Sequence, residues 1–396
     1  MNSRREAIFI LTRWLATHDF PDRLLPDGPD RAFITDLVYT TVRRRRTLEW
    51  VLQQLMRRLP QGETGAALLA GACQILFMPD VAEYAAVNET VEAAKLASKQ
   101  TAGLVNAVLR NLLRQRETLL ARLAKESVGI RTSHPDALIT RWRERFGAEE
   151  TLALCAYPPG ADEPFVPMPR GARVTEMPGF EEGAFIVQDP ATAVSVDLLA
   201  VRPGLSVLDA CAAPGGKTVQ IAWRMGVPGP DPRHRLVALD LHEDRLRLVR
   251  ENLARTRQEW VTVCSGDLTQ NPSSALSEFG LFDRILLDVP CSNTGVLRRR
   301  PDARWRWTTP RMKSLAATQA VMLENALTLL APGGRLVYST CSLEPEENRR
   351  QITVLRKRHP EIACIGVEER IPTRHATDGA FACALERRHD VRGTQT

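Results

Sequence analysis

Two cysteines carry the densest chemistry in this 396-residue chain. Cys291 lies in Asp288-Val289-Pro290-Cys291-Ser292, directly after the run at 284–287, and Cys341 lies in Thr340-Cys341-Ser342, after the run at 335–339. Both runs read as strands, and in an open α/β sheet ligands gather outside the carboxyl ends of the strands. A lone free cysteine is most often a small buried hydrophobe. Two of them in that position, beside the Asp288 carboxylate and downstream of a glycine-rich turn, suit covalent catalysis on an electrophilic ring.

The turn is Cys211-Ala212-Ala213-Pro214-Gly215-Gly216-Lys217-Thr218, between the run at 205–210 and a helix. Its glycines let the backbone approach a ligand. It is not a P-loop, because the first required glycine would fall at Cys211, and the G-x-G-x-x-G dinucleotide pattern is absent. What fits is a nucleotide-like ligand without a phosphate clamp. Asp240, ending the next strand, suits ribose hydroxyls, and Asp267, in Ser265-Gly266-Asp267 after the third, suits an adenine amino group. Adenosine joined to a charged amino-acid tail is S-adenosylmethionine.

The elements that must position these groups follow from periodicity. From 1 to about 125, apolar residues recur at three and four (Ile8, Leu11, Leu15; Ile34, Leu37, Val38, Val42), which predicts an all-helical bundle,. From about 190 the pattern alternates between strands at 205–210, 236–240, 261–264, 284–288 and 335–339 and helices such as 243–257 and 312–330. That predicts an α/β, Rossmann-like domain with a doubly wound, mostly parallel sheet. The expected division is 1–126, a linker with a small irregular subdomain over 127–186, and 187–396.

Composition narrows the class. The net charge of +6 is compatible with a polyanionic partner,. The eight cysteines form no C-x-x-C pair and no His stands at ligand spacing, so no metal is expected,. No apolar run approaches the roughly 18 residues that span a bilayer, and there is no apolar signal core. A cytoplasmic protein with reduced thiols is expected, and nothing demands more than a monomer. The segment 298–313 carries Arg298, Arg299, Arg300, Arg304, Arg306, Arg311 and Lys313 against one acid, with Trp305 and Trp307 interleaved. Cations with stacking surfaces suit unpaired RNA bases and their phosphates. The second basic run, 43–46, reads equally as a solvated helix face or an RNA contact.

The glycine turn, the Asp288-Val289-Pro290-Cys291-Ser292 motif with Thr294-Gly295, and Thr340-Cys341-Ser342 together resemble the RNA cytosine-C5 methyltransferases of the Nop–Sun family. Arg299-Arg300-Pro301-Asp302-Ala303-Arg304-Trp305 and Glu344-Pro345-Glu346-Glu347-Asn348 are similar to further motifs of that family. Asp30-Arg31-Ala32-Phe33, Ala86-Val87-Asn88-Glu89-Thr90-Val91-Glu92 and Gly103-Leu104-Val105-Asn106-Ala107-Val108-Leu109-Arg110 resemble a NusB-like RNA-binding bundle. That fusion is the arrangement of the bacterial 16S rRNA members. Two departures stand out. An RRM-like subdomain usually follows a Pro-Pro-x-x-Leu-Arg-Val-Asn opening, but Pro158-Pro159 is separated by only a short stretch from Met177-Pro178-Gly179-Phe180. Asp378-Gly379-Ala380-Phe381 has Ala where a second aromatic is common.

The resemblance implies Cys341 as nucleophile at cytosine carbon 6, and Cys291 for removal of the carbon-5 proton and release. It implies Asp288 at the ring N3, as a carboxyl that keeps its proton in a dry pocket, with Lys217 beside the thiols. The implied S-adenosylmethionine contacts are Cys211, Ala212, Ala213, Pro214, Gly215, Gly216, Lys217, Asp240, Arg245, Asp267 and Asp288. The implied RNA contacts are Arg298, Arg299, Arg300, Arg304 and Trp305. Transfer RNA is the rival substrate, and a non-catalytic RNA-binding assembly factor the rival class. An ATP-using enzyme fails on the glycine spacing.

Overall fold

Asn2 opens the first element. Its side-chain oxygen accepts the backbone N–H groups of Arg4 (2.9 Å) and Arg5 (3.4 Å), capping α1 (Ser3–Thr17),. Ala7, Ile8, Ile10, Leu11 and Trp14 form its buried stripe,. In this computed structural model, which describes residues 2–18, 20–95, 99–156, 173–227, 231, 233–270 and 276–388, the chain divides into two compact units. One comprises Met1–Pro158 with Leu297–Trp307; the other comprises Pro159–Val296 with Thr308–Thr396. Of the expected linker and small subdomain over 127–186, residues 157–172 lie outside the described residues.

In the first unit α2 (Arg31–Gln53), α3 (Gly62–Phe77), α4 (Glu83–Lys95) and α5 (Lys99–Leu123) share one core with α1, in which Leu37, Leu48, Leu68 and Leu109 are fully buried. The helices do not stop at the expected boundary of 126. α6 (Val128–Thr132) and α7 (Asp136–Ala156) follow, and α7 buries Leu138, Ile139 and Trp142. The anchor is on α2. Arg46 donates to both Asp136 oxygens at 2.8 and 2.7 Å, its backbone N–H to Ser133 Oγ at 2.9 Å, and Thr47 Oγ1 to the Ile130 carbonyl at 2.5 Å. Other members of the 43–46 run also have partners within this unit. Arg45 pairs with Glu49, and Arg44 stacks on Phe77.

The second unit is built on β1 (Ser206–Asp209), β2 (Arg235–Asp240), β3 (Thr262–Ser265), β4 (Phe282–Asp288), β5 (Leu330–Thr340), β6 (Ile362–Arg370) and β7 (Ala380–Arg387). They form one sheet in the order β3-β2-β1-β4-β5-β7-β6. All neighbours are parallel up to β5, whereas β7 is antiparallel to both β5 and β6. The first five strands stand at the positions read from the apolar runs, and the final antiparallel pair is an addition. Successive residues alternate between two buried layers. Leu208, Ile285, Leu287, Leu336 and Tyr338 join one core; Val207, Leu286 and Val337 join the other. A sheet covered on both faces leaves its strand ends as the place for chemistry. Register aligns those ends: Asp209 pairs with Leu286, and Asp288 with Ser339.

Candidate active site

The two cysteine motifs leave neighbouring parallel strands, β4 and β5, so their loops emerge side by side. Cys291 Sγ lies 3.2 Å from Cys341 Sγ, well beyond a covalent S–S bond of about 2.05 Å,. Both thiols are free; Cys291 is buried and Cys341 partly open. Cys341 Sγ donates to Asn293 Oδ1 at 3.1 Å, and Asn293 Nδ2 donates to the Cys291 carbonyl at 3.0 Å. Asn293 has φ +60°, a left-handed conformation that asparagine tolerates better than most residues,. It holds one cysteine's loop and contacts the other's sulfur.

Gly295 closes the loops further. Its N–H donates to the Cys341 carbonyl at 2.9 Å, and its own carbonyl accepts from Gly379 N–H at 2.8 Å. A Cβ on Gly295 would come within 2.7 Å of the Cys341 oxygen and 2.8 Å of Gly379 Cα, so only glycine fits.

Asp288 ends β4 between the thiols and the glycine turn. Its Oδ2 accepts from Lys217 Nζ at 2.7 Å and its Oδ1 from Ser339 Oγ at 2.7 Å. Both oxygens are engaged, one by an ammonium and one by a hydroxyl. Donation to a base would require one of these bonds to open. Burial would weaken the proton on Lys217, but the charge and hydrogen bond of Asp288 outweigh it and, with the Cys341 sulfur, raise its affinity for the proton,. The hydrogen bond to Cys341, then burial, then the nearby Cys341 and Glu347 charges push the Cys291 thiol well above the ordinary thiol range. A thiol that holds its proton so firmly is a poor nucleophile and, once ionised, a strong base.

The glycine turn connects β1 to α8 (Gly216–Met225), with Gly215 at φ +102°. Asp240 braces it: Oδ2 accepts Ala213 N–H at 3.1 Å and Oδ1 accepts His242 N–H at 3.3 Å. Arg245, on α9 (Glu243–Arg255), donates to the Ala213 carbonyl at 2.8 Å and stands 3.6 Å from Asp240 Oδ1. Asp267, beyond β3, is held by Thr269, whose N–H and hydroxyl donate to it at 2.8 and 2.7 Å and lower its pKa. Burial, then Asp288, Asp240 and Asp209, push the Cys211 thiol well up, which makes it an inert member of the turn.

The sequence reading missed Asp209, at the end of β1. It is 1% exposed, its Oδ2 accepts from Thr218 Oγ1 at 2.7 Å, and its Oδ1 has no hydrogen-bond partner among the described residues. Burial raises its pKa to about 7, with Asp288 and Asp240 adding to the rise. An orphaned buried acid beside a glycine turn fits a ligand bringing a donor or a positive charge, as S-adenosylmethionine does.

The basic segment contradicts its expectation in part. Leu297–Trp307 belongs to the helical unit. Arg304 is 4% exposed and donates to the Ser133 and Leu297 carbonyls at 3.2 and 3.3 Å. Trp305 packs on the helical core and donates to the Val42 carbonyl at 2.8 Å. Arg298 is buried, and its carbonyl accepts from Arg43. These three are packing residues, because the helical unit takes them up as part of its own interior. Arg299 and Arg300 stay at the surface, Arg300 within 3.2 Å of Asp22.

Among the described residues no group of His, Cys, Asp and Glu is arranged to hold a metal, and no helix is long and apolar enough to cross a membrane. The strand order, the glycine turn after β1 and the acid ending β2 define a Rossmann-like methyltransferase that uses S-adenosylmethionine. Residues 196–386 match the model of the 16S rRNA methyltransferase RsmB/F family, and residues 1–114 that of the NusB family. Ribosomal RNA small subunit methyltransferase B of Vibrio cholerae is 33% identical over 91% of this chain and 90% of its own. The protein of that name from Pasteurella multocida is 37% identical over 82% of this chain and 78% of its own. The crystal structure of PH0851 superposes with a TM-score of 0.76, covering 98% of this chain and 99% of that one; at 20% identity it speaks to the fold alone. The chain belongs to the RsmB/F family of 16S rRNA methyltransferases.

Proposed function

We propose that this chain forms 5-methylcytosine in 16S rRNA in the cytoplasm, with Cys341 as nucleophile. The observation that carries the chemistry is the pair of free thiols 3.2 Å apart at the ends of two adjacent parallel strands. Carbon 5 of cytosine is too weak a nucleophile to take a methyl group unaided. Addition of the Cys341 thiolate to carbon 6 pushes the ring electrons toward carbon 5, dividing one hard step into easier ones. Asp288 binds the ring edge at N3, and the Lys217 ammonium steadies Asp288 and the thiolate. S-adenosylmethionine supplies the electrophilic methyl group. The turn from Cys211 to Lys217, Asp209, Asp240, Arg245, Asp267 and Asp288 are the residues that hold it.

After transfer, Cys291, having first given its own proton to solvent, takes the carbon-5 proton as the strongly basic thiolate. The C–H electron pair re-forms the ring double bond, and Cys341 leaves as thiolate. The target base must be unstacked for both faces to be reached, and Arg299 and Arg300 are suited to the flanking phosphates.

The test is methyl transfer from labelled S-adenosylmethionine to 16S rRNA and to bulk tRNA, followed by nucleoside analysis. Labelled 5-methylcytosine in 16S rRNA alone is expected, and label in tRNA alone would overturn the substrate. Cys341→Ala is expected to abolish transfer with cofactor binding retained. Cys291→Ala is expected to accumulate a covalent protein–RNA adduct on a denaturing gel. Turnover by the first variant, or no adduct with the second, would remove the assigned roles.

A further inference from the structure

Glu347 is fully buried, and its carboxylate is met by four neutral donors: the Ser292 N–H, the Ser292 and Ser342 hydroxyls and the Gln319 amide. Oε1 accepts the Ser292 N–H at 2.9 Å and Gln319 Nε2 at 3.0 Å. Oε2 accepts the Ser292 hydroxyl and, at 2.5 Å, the Ser342 hydroxyl. Ser292 directly follows Cys291, and Ser342 directly follows Cys341. The frame behind the carboxylate is equally fixed. Tyr338 OH donates to the Glu347 carbonyl at 2.6 Å, Gln319 Nε2 also reaches the Pro290 carbonyl at 2.9 Å, and Asn348 bridges Thr340 Oγ1 and the Ser342 carbonyl. Burying a carboxylate is costly unless several donors meet it. Here those donors sit next to the two thiols.

We propose that Glu347 is a positioning residue: its buried carboxylate clamps the Cys291 loop to the Cys341 loop and thereby sets the distance between the two sulfurs. The thiols' roles in methyl transfer rest on the function proposed above; the clamp itself does not. In Glu347→Gln the side chain keeps one acceptor oxygen and sets an NH2 against the remaining donors, so it cannot accept from all four at once. The two loops then keep the Gly295 and Asn293 links, the Ser292–Ser342 hydroxyl contact at 3.1 Å and the Leu343 N–H bond to Thr294 Oγ1 at 2.9 Å, which set the sulfur separation less closely than the shared carboxylate.

Phenylarsine oxide reads that separation without RNA. One arsenic forms As–S bonds to two thiols, taking both thiol protons and releasing its oxygen as water, so both sulfurs must reach one atom. Cys364 and Cys383, 3.4 Å apart, form a second close pair. The site signal is therefore the capture lost in Cys341→Ala. In Glu347→Gln, with unfolding and S-adenosylmethionine binding retained, that signal is expected to weaken at least about tenfold, and kcat to fall roughly a hundredfold with little change in KM for RNA. Glu347→Asp, which keeps the charge, is expected to recover part of both.

Capture and kcat within about threefold of the parent would overturn the clamp. If Glu347→Gln does not fold, Ser342→Ala removes one donor and is expected to weaken capture; unchanged capture there also overturns it. Weakened capture in Glu347→Gln, with a parent protein that methylates no RNA, would sink the proposed function and leave the clamp standing.

Discussion

Leu297–Trp307 and the strand ends around the glycine turn are both crowded with charged side chains, yet the two crowds are settled differently. In the segment, charge opposes charge. Asp302 is fully buried with its Oδ2 2.7 Å from the Arg306 guanidinium, which also lies over the Phe20 ring, while Arg304 is spent on backbone carbonyls. At the strand ends, like charges face one another. Asp209, Asp240 and Asp288 all bear on Cys211, against the cations Lys217 and Arg245. Internal compensation makes charge part of the packing, whereas a surplus of one sign leaves capacity for a ligand.

The largest effect expected from this contrast is on stability. Asp302→Ala leaves Arg306, whose side chain is 10% exposed, without its anion. Stripping one partner from a buried pair costs about 3–5 kcal/mol. The urea midpoint should fall accordingly. A loss under about 1 kcal/mol, the range of exposed pairs, would show that the segment is not held by internal charge, and its reading as an RNA-facing strip would return.

How much of this could be read from the residues depends on how local each signal is. The cysteine motifs and the glycine turn are contiguous, so their chemistry and their places at strand ends were legible. The segment misled because arginine and tryptophan have the same composition in a buried strap as on an RNA-binding face; what separates them is a partner such as Ser133 or Val42, far away in sequence. Glu347 lay within a legible motif, but its role depends on Ser292, 55 residues earlier. β7 was missed because Ala380, Ala382 and Ala384 lack the branched or aromatic side chains that mark strands; they are set into the sheet by pairing with β5 and β6,. α7 was taken for linker because its anchor is Arg46 on α2.

A second effect tests the uncompensated side through pH. Asp209 has a pKa of about 7 in the folded chain against the usual 3.8. Between those values the folded state keeps a proton that the unfolded state has lost. The contribution is therefore fully present below about pH 4, is lost as pH rises toward 7, and is level above. At 1.36 kcal/mol per unit, the parent should lose roughly 2–4 kcal/mol more than Asp209→Asn between pH 4 and pH 8. Parallel stability curves for the two proteins would mean that burial does not hold a proton on Asp209, and the contrast would collapse.

The smallest effect separates two arginines of one segment. Arg299 is exposed and Arg304 is buried. Arg299→Ala should leave stability within about 0.5 kcal/mol. It should also weaken RNA binding several-fold at low salt and reduce the slope of log affinity against log salt by roughly one phosphate contact. Arg304→Ala should do the reverse, lowering the unfolding midpoint because the Ser133 and Leu297 carbonyls lose their donor, with the salt slope of the folded protein unchanged,. A changed slope in Arg304→Ala with an unchanged midpoint would place its guanidinium on RNA. Two substitutions of one residue type, five positions apart, thus decide whether burial or composition assigns the segment its work.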